Sequence, residues 1–322
     1  MRRRNSLFRA LLAISVLLGL VCQRPQPAPE QFRIVAHTPT NGYPHDVVVQ
    51  GNRAYVADGQ AGLTVFDITD PEAPVFLGSI MDSLNEAWGV GVADSYVFLA
   101  YGNKELMVID ARRPDSLAAV GFLEYPQPAY GLDVAIQDSL VYIAASAQFI
   151  VVNIADPAHP NLVFQYYYPH SCRGVALNGK SGYVVCEQLG LASWQLDTFP
   201  PLQIGSLNTS GNARGVAVQD DYAYVADGRN GLVVIDVSNL TQPVLVATLQ
   251  LSGYANAVAV RDTLAFLGCG AGGIAVVDIA DPSTPRLIAQ LKTPYAMGLY
   301  PVGRFLFACD RDRGLVVVKQ EE

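Results

Sequence analysis

The 322 residues are 51% hydrophobic and only 16% charged, which supplies apolar material for a large packed core and excludes a disordered chain. A formal net charge of −8 at pH 7 argues against nucleic acid or anionic lipid as the main partner. Length alone allows one large domain or two ordinary ones, because all-β domains often exceed the usual size.

Arg2, Arg3 and Arg4 precede the apolar run LLAISVLLGLV, which is too short for a comfortable membrane span, so residues 1–21 have the form of an export signal. Removing them takes away four arginines (Arg2, Arg3, Arg4 and Arg9) and no acid, so −8 becomes −12. Cys22 follows at once and resembles the lipidated cysteine that closes a bacterial lipobox, with Val21 standing where a small residue is favoured. Residues 22–31 include QRPQPAPE, a Pro-rich stretch suited to an extended tether. The expectation is an exported cell-envelope protein, a membrane-anchored lipoprotein of the periplasm or cell surface, meeting the membrane only through its lipid.

From residue 32 onward the chain repeats. FRIVAHTP (32–39) reads as a lone strand, and the units that follow are anchored on Tyr55, Phe98, Tyr142, Tyr183, Tyr224, Phe266 and Phe307, at spacings of 43, 44, 41, 41, 42 and 41. Each unit opens with a small apolar run, such as VVV at 47–49 or VAV at 216–218, and turns at motifs such as QGNR (50–53) or NGKS (178–181). A second run carries the aromatic anchor. A third is nearly all apolar and β-branched, as in LTVFDI or LVVIDV, which suits a strand buried on both faces. Asp-Pro turns such as DPEAP (70–74) and DPSTP (281–285) then lead to a fourth, outer run. A period near 42 holding four short strands is the pattern of propeller blades. The expected fold is an all-β, seven-bladed β-propeller of four-stranded blades over 32–322, with the N-terminal strand completing the last blade at 296–320.

GLTVFDITDPEAP, GLVVIDVSNLTQP and GIAVVDIADPSTP resemble the LVIVD repeat of exported and surface-associated bacterial β-propellers. The resemblance runs over 32–320 and departs most in the fourth unit, at LASWQL followed by DTFPP. It implies the fold and no single activity.

Two series of positions are candidates for ligand binding. The residue just before each unit's first strand is chemically diverse: His45, Trp88, Leu132, Arg173, Arg214, Asn256 and Met297. It suggests a mouth suited to an anionic or sugar-like ligand. At the end of the second strand stand Asp58, Tyr101, Ala145, Cys186, Asp227, Cys269 and Asp310. Hairpin register sets His45 opposite Asp58, Trp88 opposite Tyr101 and Arg214 opposite Asp227. Asp46 and Asp133 lie one position beyond the mouth series and form a candidate cation pair. Cys172 and Cys186 fall on paired strands, where an oxidising compartment permits a disulfide, and Cys269 and Cys309 are expected to stay free.

Other motifs carry no chemistry. GCGAGG (268–273) sits in a repeated hairpin with no helix after it, no CxxC occurs, and His37, His45, His159 and His170 have no metal-ligand spacing. His170, ahead of SCRG, is at most a rim residue. No metal or cofactor is expected. The leading expectation is a non-enzymatic cell-envelope binding or scaffold protein that uses one propeller face for a protein or glycan partner. The alternative is an envelope-polymer hydrolase or lyase with its site at the channel mouth, using His45 with Asp58 as acid and base and Arg173 and Arg214 as anion stabilisers.

Overall fold

The computed structural model describes residues 31–81, 85–102, 105–125 and 130–321. The export signal, Cys22 and the tether up to residue 30 lie outside the described residues. Among the described residues the regular elements are all strands, and no helix is long and apolar enough to cross a membrane.

The chain opens with β1 (Phe32–Thr38). The first repeat holds β2 (Asp46–Gln50), β3 (Arg53–Ala57), β4 (Leu63–Asp67) and β5 (Val75–Ile80); the second holds β6 (Ala87–Ala93), β7 (Tyr96–Tyr101), β8 (Glu105–Asp110) and β9 (Ala118–Glu124). Next come β10 (Gly131–Gln137), β11 (Leu140–Asn153), β12 (Asn161–Asn178), β13 (Ser181–Cys186), β14 (Gly190–Gln195) and β15 (Leu202–Leu207). Two further sets follow: β16 (Gly215–Gln219), β17 (Tyr222–Ala226), β18 (Leu232–Asp236), β19 (Val244–Leu249), then β20 (Ala257–Arg261), β21 (Leu264–Gly268), β22 (Ile274–Asp278), β23 (Arg286–Leu291). The chain ends with β24 (Ala296–Val302), β25 (Phe305–Asp310) and β26 (Gly314–Gln320).

These strands form six antiparallel sheets, which corrects the expected count of seven blades to six. Five sheets have four strands, and the sixth joins β10 to β15. The cause lies in the third repeat. Its hairpin loop, Ser146–Gln148, is one residue shorter than the Gly59–Gly62 loop and holds no glycine, so β11 does not break there. It turns back at Ser146, whose φ is 44°, and the N–H of Ile154 meets the carbonyl of Ser139 at 2.8 Å, which brings the two ends of β11 together. β12 then runs on through Tyr168 and Pro169 into the fourth repeat, so both repeats share one sheet.

Tight turns between the first two strands of each repeat place Gly51, Asp94, Asp138, Gly179, Asp220, Asp262 or Gly303 at φ between 52° and 60°, the left-handed conformation that glycine and aspartate tolerate. The Asp-Pro turns are held by Asp70, Asp156 and Asp281, whose carboxylates accept the N–H two residues on, at 3.0, 3.1 and 2.9 Å. The cores lie between neighbouring sheets and are filled by the second and third strands; Phe66, Phe98, Phe266 and Phe307 are almost fully buried. First strands meet around an axis: β2 touches β6, β6 touches β10, β12 touches β16, and β16, β20 and β24 lead back to β2. β1 pairs antiparallel with β26 on the outside of the last sheet, from Phe32 with Gln320 to Thr38 with Leu315. The first and last strands of the described residues thus clasp each other.

Candidate functional site at the axial mouth

Two local devices aim the mouth residues inward. His45, Arg214 and Asn256 sit one step before their strands, with backbone N–H bonds of 2.8, 2.9 and 2.8 Å to Ala57, Ala226 and Gly268. Trp88, Leu132, Arg173 and Met297 fall where the ladder shifts register, between Ala87 and Gly89, Gly131 and Asp133, Cys172 and Gly174, and Ala296 and Leu299. Such a bulge leaves one residue unpaired and re-aims its side chain. All seven line a single cavity of about 440 Å³. The neighbouring glycines are required by crowding at the axis: a β-carbon on Gly89 would stand 2.8 Å from the Cα of Asp133, and one on Gly298 would stand 2.7 Å from the Cα of Asp46.

One side of the mouth is cationic. Arg173 Nε donates to Glu187 Oε1 at 2.6 Å, and Arg214 Nη2 lies 3.8 Å from the same oxygen. Arg214 Nη1 is 3.5 Å from Asn256 Oδ1, its guanidinium lies 5.1 Å over the Tyr254 ring, and its Nε is buried without a hydrogen-bond partner. Asn256 is held in turn by its Nδ2 donating to the Tyr254 carbonyl at 3.1 Å.

The opposite side is aromatic. His45 and Trp88 stack with ring centroids 3.9 Å apart and planes 16° from parallel. Burial, opposed by the Glu86 charge and aided by a smaller push from Arg311, lowers the His45 pKa to about 4, so its ring is neutral at pH 7. Its Nδ1 is buried and has no hydrogen-bond partner.

Asp46 and Asp133 line the same cavity. Each ties neighbouring repeats together: Asp46 accepts from Val47 and Val90 N–H at 2.9 and 3.2 Å, and Asp133 from Val134 and Val175 N–H at 2.8 Å each. Burial raises both pKa values, to about 6 for Asp46 and, with Asp46's charge added, to about 8 for Asp133. Among the described residues no group of three or more His, Cys, Asp or Glu is arranged to hold a metal ion.

The second series does not join the first. Asp58, Tyr101, Asp227 and Asp310 are all buried and none lines the cavity. Asp58 accepts from Thr64 Oγ1 at 3.0 Å and Gly42 N–H at 3.2 Å, so the acid/base pairing with His45 is not formed. Asp227 accepts from Thr209 Oγ1 at 2.6 Å and Asn230 Nδ2 at 2.9 Å, leaving Arg214 to Glu187 instead. Asp310 accepts from the N–H groups of Tyr295, Asp312 and Arg313 at 2.8, 3.0 and 3.0 Å. Tyr101 stands across from Ala87, because the bulge displaces Trp88. The simple hairpin register expected for these pairs fails for one reason. Carboxylates at this position tie the hairpin loop to the segment entering their own repeat, and so do not line the cavity.

Glu187 and Arg311 stand beside the mouth residues without lining the cavity, and the two series do not include them. Four repeats carry glycine at the equivalent loop position, Gly59, Gly102, Gly228 and Gly270, each at positive φ. Only the third, fourth and seventh carry a side chain there: Ser146, Glu187 and Arg311. Arg311 lies 4.9 Å over the Tyr43 ring, while Glu187 hydrogen-bonds Arg173 and lies 3.8 Å from Arg214. A charged residue in place of a repeated glycine is the signal in the sequence that points to them.

Cys172 and Cys186 stand opposite each other on β12 and β13, with Cα atoms 3.8 Å apart, and form a disulfide. Cys269 and Cys309 are free and buried. The bridge immediately precedes both Arg173 and Glu187 and so fixes their backbones. Closing a loop of this size stabilises by about 2–4 kcal/mol. Reduction, or Cys172→Ser with Cys186→Ser, is expected to lower the urea midpoint accordingly, and an unchanged midpoint would remove the bridge from the stability account.

Solved structures with this architecture include the WD40 β-propeller domain of Doa1, at 11% identity over 90% of this chain and 97% of that chain, with a TM-score of 0.71. The β-propeller domain of Cps50 (Swd1) from Myceliophteria thermophila is 14% identical over 90% of this chain and 100% of that one, TM-score 0.71. The computationally designed Ika8 protein is 12% identical over 86% and 83%, TM-score 0.66. At such identities the likeness concerns the fold alone. No curated protein matches the chain in sequence. The model of the LVIVD repeat matches residues 41–82, 85–121, 130–167, 210–250 and 252–293, more than half of the chain. Arg173, Glu187 and the disulfide fall in the stretch between the third and fourth matched segments.

Proposed function

The chain belongs to the LVIVD repeat family, and from that premise we propose that it is a non-enzymatic binding or scaffold protein of the cell envelope, capturing a protein or glycan partner on the face that carries the axial mouth. The observation that carries this reading is the gathering of Arg173, Arg214, Asn256, Trp88 and His45, from five repeats, around one cavity of about 440 Å³. That volume is within the roughly 300–1,000 Å³ of small-ligand pockets, and the lining combines apolar area with a few fixed polar groups. The binding reading is favoured over hydrolysis or lyase chemistry because His45 Nδ1 has no carboxylate to orient it, and Asp58 is committed elsewhere. The envelope location and the lipid anchor rest on the residue pattern around Cys22.

The test is retention of purified envelope glycans and envelope proteins on the immobilised full chain. Replacing Arg173 and Arg214 together by alanine removes two part-buried charged donors, each worth about 1.5–3 kcal/mol in a hydrogen bond. Binding is expected to weaken tenfold or more while the melting temperature shifts little. Equal retention by the double variant would move the partner away from the mouth.

A further inference from the structure

We infer that the ligand of the mouth is a sugar acid, a glycan residue bearing one carboxylate, whose carboxylate is held by Arg214 beside Asn256 while its ring lies toward the His45–Trp88 wall. This rests on the reading of the mouth as a binding site and names what it binds.

The first support is the incomplete pairing of Arg214. A guanidinium has five N–H donors in a planar fork. Arg173 takes Glu187 Oε1 at hydrogen-bond distance, 2.6 Å, whereas Arg214 stands 3.8 Å from that oxygen, close enough for charge and too far for a hydrogen bond. Its Nη1 contact with Asn256 is at the limit, 3.5 Å, and Nε has no partner. Nε is closed off from the cavity, so the donors left for a ligand are Nη1 and Nη2, and a carboxylate that accepts from both completes the pairing that Glu187 and Asn256 leave loose. Tyr254 beneath the guanidinium holds its plane in place for such an approach.

The second support is the count of charges. Two arginines share one glutamate, so this side of the mouth has one positive charge in excess. Asp46 and Asp133 sit on the same cavity and disfavour a second negative charge on the ligand. A carboxylate monoanion fits these terms better than a phosphate ester.

The third support is the opposite wall. The stacked His45 and Trp88, with Leu132 and Met297, present apolar surface for the C–H face of a sugar ring. Arginine alone would suit any small acid; this wall adds the preference for a ring with an apolar face.

The experiment is calorimetric titration of the full chain with the methyl glycoside of galacturonic acid, its methyl ester, galactose 6-phosphate and an N-acetylated alanine tripeptide. The ester keeps the ring and hydroxyls and removes the charge. The galacturonide is expected to bind at least tenfold more tightly than each of the other three. Arg214→Gln should abolish the difference between acid and ester, and Arg214→Lys should restore part of it through charge without the fork. Trp88→Ala should weaken acid and ester alike. Equal affinity for acid and ester, or preference for the phosphate or the peptide, overturns the sugar acid while leaving the mouth as the binding site. Failure of all four probes to bind also overturns it. A partner whose binding ignores the Arg173 and Arg214 double variant would instead remove the mouth itself.

Discussion

A chain shortened to begin at Thr40 is expected to lose cooperative unfolding and to melt at least 15 °C lower than the full chain, or to fail to reach a folded monomer at all. β1 supplies the outer strand of the last sheet, pairing over Phe32–Thr38 with β26. Its register shift between Ile34 and Ala36 sends neighbouring residues into two different cores. Phe32, 3% exposed, and Ile34 pack with Phe266, Leu306 and Val318, while Val35 and Ala36 pack with Val56, Phe66 and Val317. Burying a Phe contributes about 2–3 kcal/mol, the smaller side chains somewhat less, and each net backbone hydrogen bond about 1 kcal/mol. The sum is on the order of 5–10 kcal/mol, comparable with the whole stability of an ordinary domain. Ion pairs at the clasp, Arg33 with Glu321 and Lys319 with Glu72, are exposed at one or both partners and contribute little beside this. Calorimetry on the two chains decides the matter. A shortened chain melting within 3 °C of the full one would mean that the ring holds without its clasp.

The contrast between what is and is not legible in the residues follows from the physics of repeats. The phase of the repeat can be read because each buried third strand needs an unbroken apolar run and each tight turn needs Gly or Asp at positive φ. The clasp can be read because FRIVAHTP has the pattern of a fourth strand with no unit before it. The mouth series is legible as diversity at a fixed position among monotonous neighbours. The sheet count is not: whether a ladder continues through Ser146 or Tyr168–Pro169 depends on loop length and pairing across repeats, and residue patterning within one repeat does not report either. The orientation of Asp58, Asp227 and Asp310 is also hidden, since an Asp at the end of the second strand serves a turn or a salt bridge with the same letters. Glu187 and Arg311 are visible as departures from glycine, and their meaning needs the arginines and His45 placed beside them.

Stability is expected to fall as pH rises from 5 to 8.5, the reverse of the acid sensitivity that exposed carboxylates produce. Asp46 and Asp133 have folded pKa values of about 6 and about 8, raised first by burial and, for Asp133, by the Asp46 charge. In the unfolded chain both return to about 3.9. Between those values the folded protein holds more protons than the unfolded one, so each step up in pH favours unfolding. The contribution is fully present below about pH 4 and is lost as pH passes first 6 and then 8. The turn carboxylates of Asp67, Asp110, Asp236, Asp278 and Asp281 have lowered pKa values, from hydrogen bonds to their own turns, and work in the opposite sense below about pH 4. His45 works against this loss: burial lowers its folded pKa to about 4, so it stabilises the fold as pH rises from about 4 to 6.5, and the fall is steepest between about pH 6.5 and 8. Each tenfold difference in proton affinity between the folded and unfolded chain is worth about 1.4 kcal/mol. Both axial carboxylates border an open cavity, which reduces that figure, and the His45 gain below pH 6.5 offsets part of it, so the net loss between pH 5 and 8.5 is on the order of 1–3 kcal/mol. Urea unfolding at pH 5, 6.5 and 8.5 measures it. Asp133→Asn removes the later part of the loss and, by setting an amide N–H against the N–H of Val134 or Val175, lowers stability by about 1–2 kcal/mol at every pH. Asp46→Asn lowers the Asp133 pKa by removing its charged neighbour, so the remaining loss is complete at a lower pH. A midpoint that stays level or climbs between pH 5 and 8.5 would show that Asp133 is ionised beside Asp46 at the axis, and that the mouth above them carries one more negative charge than its arginines are arranged to meet.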